Sequence, residues 1–217
     1  MSREPGAAAL RPRAQWTGAL LAGGASRRMG RDKLLLALPS GDVLLEFPAA
    51  ALRATCTDLL AVGARPEHHV HLAGFRTVAD ALPDCGPLGG VLAALESAPT
   101  PWVLVLAADL PCVDAGLLSA LQTAAEVDPD RALVTDGPGG PEPLVAAWPR
   151  ALAPLLRRRL LAGERKAENA LPPSRRRRWP YGEALRNARL DDPFRNVNAP
   201  GDWADFQSAF GSSTNRA

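Results

Sequence analysis

At 217 residues, 47% of them hydrophobic, and with a formal net charge of +2, the chain has room for one sizeable core and the balance of an ordinary globular protein. No apolar run reaches the roughly 18 residues needed to cross a bilayer, and residues 1–15, bearing Pro and Arg, lack the apolar centre of a secretory signal. A cytoplasmic protein is expected, with a disordered tail over 1–15 and a disordered end over 211–217. Cys56, Cys85 and Cys112 are odd in number and widely spaced, match neither a disulfide framework nor a C-x-x-C metal site, and are read as free thiols.

The first predicted element is a strand over 16–22, an apolar run of strand length that stops at Gly23-Gly24. Adjacent glycines let the backbone approach a ligand and turn successive N–H groups into one concavity, an anion cradle. Ser26, Arg27, Arg28, Arg31 and Lys33 then bring a hydroxyl and four cations within eight residues, the charge a polyphosphate needs. Two other phosphate loops fail on spacing. Five residues separate Gly24 from Gly30, and Arg31-Asp32 precede Lys33, which is not a P-loop; Gly23, Gly24 and Gly30 do not make G-x-G-x-x-G.

Further along, 34–38 and 43–45 flank Pro39-Ser40-Gly41-Asp42 and predict a small hairpin. A helix is predicted over 46–56, with Pro48 tolerated in its first turn, and a strand over 58–64. Within 67–74, strand alternation would put His69 and His71 on one face. No carboxylate or thiolate lies nearby at ligand spacing, so His68, His69 and His71 are read as a surface or partly packed cluster. A third strand, 76–80, ends in Asp80. Gly86-Pro87 stops the chain before a helix over 88–97, whose glycine-rich start leaves N–H groups open to a ligand.

Residues 102–108 are apolar on both faces, as a central parallel strand requires, with Asp109 at the end and Pro111 blocking continuation. A helix over 114–126 capped by Asp114 and a strand over 132–135 follow. The alternation predicts an α/β fold with a doubly wound, mostly parallel sheet in three layers, whose ligands bind at the carboxyl ends of the strands. Gly23-Gly24 and Asp109 both fall at such ends. The second half reads as a long turn over 136–143, a strand over 144–148, a helix over 149–161 broken at Gly163, and a second helical piece over 164–171. An irregular basic loop from Pro172-Pro173 and a last helix over 200–210 complete the chain.

Position by position, Leu21, Ala22, Gly23, Gly24, Ser26, Arg28, Met29, Gly30, Asp32 and Lys33 match the pattern L-A-G-G-x-S-x-R-M-G-x-D-K, and the chain resembles the molybdenum cofactor guanylyltransferases. The resemblance spans nearly all of 17–210. It implies a Rossmann-like nucleotidyltransferase fold in one domain over 16–210, with an acceptor-binding part at about 136–198. The implied reaction transfers GMP from GTP to molybdenum-bearing molybdopterin and releases pyrophosphate. Lys33, Arg28 and Asp109 are then the catalytic set, and Leu21, Ala22, Gly23, Gly24 and Ser26 join Lys33, Asp80, Gly86 and Asp109 in holding the nucleotide.

A carboxylate at the end of a buried strand beside a polyphosphate cradle is where Mg²⁺ can bridge protein and phosphate oxygens. Read alone, Asp109 either takes that role or caps a turn before Pro111; the segment L-A-A-D-L-P resembles the family's second motif, in which this aspartate holds the metal. N-V-N-A-P-G-D-W resembles the family's closing N-V-N-T-P-E-D-L and departs from it at Ala199 and Gly201. Asn196 and Asn198 sit at alternate positions, and Asn198 is either a second metal or phosphate contact or part of a polar turn before a helix. Asp80 and the loop from Gly86 to Gly90 resemble the nucleotide-binding segment, and a carboxylate can accept from guanine N1–H and the exocyclic amine together. An asparagine that the family can carry near Val62 is absent.

From 150 to 178 the chain carries ten Lys or Arg against Glu164 and Glu168, a local net of +8 that leaves the remainder at −6. Such asymmetry marks an anionic partner or a solvated face. L-A-G-E-R-K at 161–166 resembles the family's L-x-x-G-E-R-R segment, which implies that Arg165 and Lys166, with Asn196, face the molybdopterin acceptor. The partners expected are GTP, molybdopterin, and molybdoenzymes or their chaperones, with no membrane. Nucleic acid is disfavoured because only Trp179 and Tyr181 lie beside the run Arg175 to Arg178. Two rivals remain at this stage. One is a cytidylyltransferase acting on the same cofactor, whose motif tends to read L-A-A-G where this chain has Gly23; the other is a catalytically idle pterin- or partner-binding protein.

Overall fold

A computed structural model describes residues 16–23, 32–82, 85–166, 169–197 and 200–213. Strands β1 (Trp16–Leu21), β2 (Asp58–Val62), β3 (Arg76–Val78), β4 (Trp102–Ala107), β5 (Ala132–Gly137), β6 (Gly140–Pro149) and β7 (Arg176–Trp179) form one sheet in the order β3-β2-β1-β4-β6-β5-β7. Only β6 runs antiparallel to its neighbours, β4 and β5; the other pairings are parallel. Helices α1 (Glu46–Thr55), α2 (Pro87–Ser97), α3 (Ala115–Ala125), α4 (Ala153–Leu161), α5 (Tyr181–Asn187) and α6 (Pro200–Ser213) complete the chain.

Strand alternation divides the core in two. On β4, Leu104 and Leu106 enter one cluster with Leu52 of α1 and Leu117 and Leu121 of α3. Val103 and Val105 enter the other, with Leu88 and Leu92 of α2 and Leu156 and Leu160 of α4. Because β4 is buried along its whole length, both faces of the sheet are covered and the three-layer α/β expectation holds. From β1 the chain moves outward to β2 and β3, then returns through α2 on the opposite face to β4 on the other side of β1. That reversal opens a crevice at the carboxyl ends of β1 and β4.

The amino ends of these two strands are pinned by polar and aromatic contacts. Trp16 stacks on Trp102 with ring centroids 5.0 Å apart. The buried Thr100 hydroxyl donates to the Trp102 carbonyl at 2.8 Å and therefore accepts from Thr17 Oγ1 at 2.6 Å. The predicted hairpin is present as an antiparallel bridge between Ala37 and Val43.

Several expectations are corrected. Residues 136–143 form no long turn: β5 and β6 join as a tight hairpin, with Gly140 at φ +125°. Across 164–166 there is no helix; Glu164 Oε1 accepts the Arg165 and Lys166 amides at 3.0 and 2.9 Å and competes with helical bonding. The basic stretch beyond Pro172 is a 3₁₀ turn, Pro173–Arg175, followed by β7, which pairs with β5 and buries Trp179. The histidine segment is a 3₁₀ turn, Pro66–His71, and not a strand. Helix α5 was not anticipated, and α6 runs to Ser213, past the expected end at Phe210. Among the described residues no helix is long and apolar enough to cross a membrane.

Cys56, Cys85 and Cys112 are free and buried. Burial pushes the Cys56 thiol from 9.0 to about 12, opposed in part by the Thr55 hydrogen bond, and pushes Cys112 to about 11. That rise suppresses the Cys56 thiolate about a thousandfold at any pH below the ordinary value of 9.0. Titration of the native protein with a thiol-specific disulfide reagent at pH 8 should label Cys56 and Cys112 orders of magnitude more slowly than in denaturant; rapid native labelling of either would contradict the packing.

Candidate functional site

The 3₁₀ turn Lys33–Leu35 follows Asp32, whose Oδ1 accepts the Leu34 amide at 3.1 Å, while Leu34 plugs into the core. A capped residue on one side and a core anchor on the other fix the direction in which Lys33 leaves the backbone. Opposite it, Ala108 N–H bonds Leu21 O at 3.1 Å, carrying the strand pairing one residue beyond β4 and delivering Asp109 to the crevice. Lys33 Nζ donates to Asp109 Oδ2 at 2.7 Å, with the two side chains 17% and 26% exposed. The Asp109 carbonyl in turn accepts the Val197 amide at 3.1 Å, so the segment before α6 is tied to the same strand end.

The nucleotide-binding candidates on the other side of β1 lie close together. A Cβ built on Gly90, in α2, would meet Leu21 Cδ2 at 3.3 Å, Asp80 Oδ1 at 3.4 Å and Val62 Cγ1 at 3.5 Å. Asp80 keeps contact with solvent, and partial burial nonetheless pushes its carboxyl above the ordinary range. Gly86 caps α2 with φ +58° and no side-chain cap; Pro87 at the helix start has no N–H, and the Gly89 amide bonds the Gly86 carbonyl at 3.0 Å. Ala22 is buried, its amide bonded to Val62 O at 2.9 Å, and Gly23 is exposed.

Not every expected residue joins this group. Gly24, Ser26, Arg28 and Asn198 lie outside the described residues. Asn196 is exposed beside the buried Val197. The Arg165 guanidinium folds back onto the carbonyls of Leu160 and Glu164 at the end of α4, and Lys166 gives its amide to Glu164. The histidines are corrected in part. His71 bonds Glu46 at 3.0 Å and His69 lies 3.2 Å from Thr77 Oγ1, as a partly packed cluster would, but His68 is only 1% exposed and sits 2.7 Å from Asp32 Oδ2.

A model of the MobA-like NTP transferase domain matches residues 18–177. The chain belongs to this family. It is 40% identical over 161 residues to a probable molybdenum cofactor guanylyltransferase of Chloroflexus aggregans, covering 71% of this chain and 76% of that one. With the probable molybdenum cofactor guanylyltransferase of Deinococcus radiodurans it shares 34% identity over 190 residues, 88% of this chain and 93% of the relative. The crystal structure of molybdopterin-guanine dinucleotide biosynthesis protein A from Archaeoglobus fulgidus superposes with a TM-score of 0.76 at 25% identity, covering 90% of this chain and 99% of that one.

In this MobA-like NTP transferase two further residues shape the site without having stood out in the sequence. Glu142, on β6, is half-buried; burial raises its pKa, and the charge of Asp109 adds to the rise. Its only sequence signal is a carboxylate held between prolines in the second strand of a hairpin. Gly63 follows β2 with φ +67°, and a Cβ there would lie 2.8 Å from Gly23 Cα. An isolated glycine at a strand end is the signal that could have found it. Gly63→Ala should cost at least about 2 kcal/mol in urea unfolding, from the left-handed backbone and the backbone clash together, and should lower turnover by displacing Gly23. Unchanged stability would mean that the two loops do not pack as closely as described.

Proposed function

We propose that the chain transfers GMP from GTP to the terminal phosphate of molybdopterin, producing the guanine dinucleotide form of the cofactor and pyrophosphate. The observation that carries the reading is the Lys33–Asp109 pair, 2.7 Å apart at the carboxyl ends of adjacent parallel strands, in a chain whose relatives bear the name molybdenum cofactor guanylyltransferase. An acceptor phosphate oxygen attacks the α-phosphorus in line with the departing pyrophosphate. One P–O bond forms, the α–β bridging P–O bond breaks, and no covalent enzyme intermediate is needed.

Lys33 exchanges Asp109 for the triphosphate and neutralises the charge that gathers on the leaving group. Arg28, Ser26 and the amides of Gly23 and Gly24 are assigned to the same anion. The donor set fits a divalent cation. Among the described residues no three His, Cys, Asp or Glu side chains gather as a metal site, but Mg²⁺ commonly takes one or two carboxylates and completes its shell with phosphate oxygens and water. Asp109 is that carboxylate, with Asn198 assigned beside it, and the repulsion that Asp109 exerts on Glu142 is what a cation would relieve. A metal held there would supply charge neutralisation for the departing pyrophosphate.

Asp80 is the base-reading group. Its carboxylate can accept from guanine N1–H and the exocyclic amine at once, an edge that cytosine lacks. Gly23 supports the choice of GTP for a steric reason. Among the described residues a Cβ there would approach no atom closer than 3.6 Å, an ordinary contact, so those neighbours leave room for alanine and the missing side chain leaves space for a ligand. Arg165, Lys166 and Asn196 are assigned to the acceptor.

Incubation of the protein with each NTP, Mg²⁺ and molybdopterin should yield the guanine dinucleotide; equal or better use of CTP would overturn the guanylyl reading. Gly23→Ala should leave thermal unfolding unchanged while weakening GTP use. Asp109→Asn and Lys33→Ala should each lower the rate by about a hundredfold or more, the first raising the Mg²⁺ requirement and the second weakening triphosphate binding at saturating metal. Near-native rates in either, with unfolding unchanged, would place the phosphate site elsewhere.

A further inference from the structure

We infer that His68, together with Arg65, is a positioning residue for Lys33, acting through the Asp32 carboxylate; the inference rests on Lys33 being the lysine that meets the triphosphate. Asp32 divides its two oxygens between two turns. Oδ1 caps the turn that carries Lys33, accepting the Leu34 amide at 3.1 Å. Oδ2 accepts from His68 Nε2 at 2.7 Å and from Arg65 Nη1 at 3.0 Å, both in or beside the turn Pro66–His71. One carboxylate thus fastens the lysine-bearing turn to the connection between β2 and β3.

The histidine is specified and not merely accommodated. Its Nδ1 accepts the Arg65 backbone N–H at 3.2 Å, so in the neutral ring the single proton sits on Nε2 and is donated to Asp32. The ring is 1% exposed and the Asp32 side chain 11%, and a carboxylate so enclosed requires donors of this kind. His68, the Leu34 amide and Arg65 together outweigh the burial that opposes ionisation, holding Asp32 below the ordinary carboxylate range. The frame behind the histidine is firm as well. Arg53 of α1 bonds the carbonyls of His71 and Ala73, and Leu72 enters the core.

The need for such a clamp follows from charge. Lys33 has one carboxylate next to it in sequence and another across the crevice, and a neighbouring Asp32 with a vacant oxygen would compete for the ammonium. Occupying Oδ2 with His68 and Arg65 turns Asp32 toward the β2 side and directs Lys33 to Asp109 and to whatever phosphate replaces it.

The test is a double-variant cycle on GMP transfer from GTP to molybdopterin, with His68→Ala, His68→Gln, Lys33→Ala and His68→Ala/Lys33→Ala, and with thermal unfolding recorded for each. His68→Ala should lower kcat/KM about tenfold or more. His68→Gln, whose amide can place an N–H near the Nε2 position, should recover most of it. In the Lys33→Ala background the histidine change should cost nothing further; the GTP dissociation constant closes the same cycle where turnover is too slow to read.

An equal loss in both backgrounds, or full activity in His68→Ala, would overturn the positioning role. Near-native activity in Lys33→Ala instead defeats the reading on which the inference rests, and the two failures are told apart by that single variant. If His68→Ala does not fold, His68→Gln against His68→Asn decides, because the asparagine amide reaches only the Nδ1 position: greater activity with Gln supports the role, and equal activity refutes it.

Discussion

Six register pairs join β1 to β4, from Trp16 opposite Trp102 to Leu21 opposite Ala107, and the height at which the two following loops leave the sheet is set by that register. A slip of two residues would move one loop by about 6.6 Å relative to the other, more than twice the 2.7 Å that separates Lys33 from Asp109. A slip of one would exchange the two buried faces of the strand that slips, sending Leu104 and Leu106 into the space that Val103 and Val105 fill. The stacked tryptophans and the Thr17–Thr100 hydroxyl pair sit at the opposite end of the same two strands. Contacts remote from any chemistry therefore hold the alignment on which the crevice depends, and the polar pair does so in a place where an unpaired hydroxyl would be costly.

The burial of the Lys33–Asp109 pair suits the exchange of partners proposed for it. A fully exposed ion pair contributes at most about 1 kcal/mol and would not hold a lysine in one rotamer. Breaking a fully buried one costs about 3–5 kcal/mol, too much to exchange readily for a ligand. Lys33 and Asp109 fall between, at 17% and 26% exposure. Their opposite charges cancel, and in the proposed reaction a triphosphate and its cation would bring the complementary pair. Asp32, by contrast, has its oxygens committed to His68, Arg65 and the Leu34 amide, which marks it as a structural carboxylate.

The central strands and the carboxylate after β4 were legible in the sequence because burial on both faces leaves a continuous apolar run whose ends can be read to within a residue or two. β7 was not legible. Its side chains are mainly arginines whose guanidinium groups find partners that sequence cannot reveal, Arg177 on the Ala124 carbonyl and Arg178 on Asp136, and only Trp179 carries an apolar signal. His68 was misplaced for a related reason. Spacing shows which residues can share a face, whereas its partner, Asp32, lies 36 positions away. Gly63 and Glu142 matter through close approach and through charge across the sheet, and neither leaves a periodic trace.

The same distinction applies to the charge asymmetry between 150–178 and the rest of the chain. The excess counted along the sequence is partly cancelled in space, because the acidic groups that meet it come from outside the segment. Arg157 grips Glu96 with two bonds of 2.7 Å, and Arg178 is paired with Asp136. Within the segment, Arg159 lies 3.8 Å from Glu164. The first two pairs fasten α4 to α2 and β7 to β5, so part of the basic run serves cohesion within a layer and cannot also serve an anionic ligand without being released. Apart from these paired arginines, Lys33 meets Asp109 beyond the carboxyl end of β4, and the proposed attraction for a polyphosphate rests on that cation more than on the basic segment.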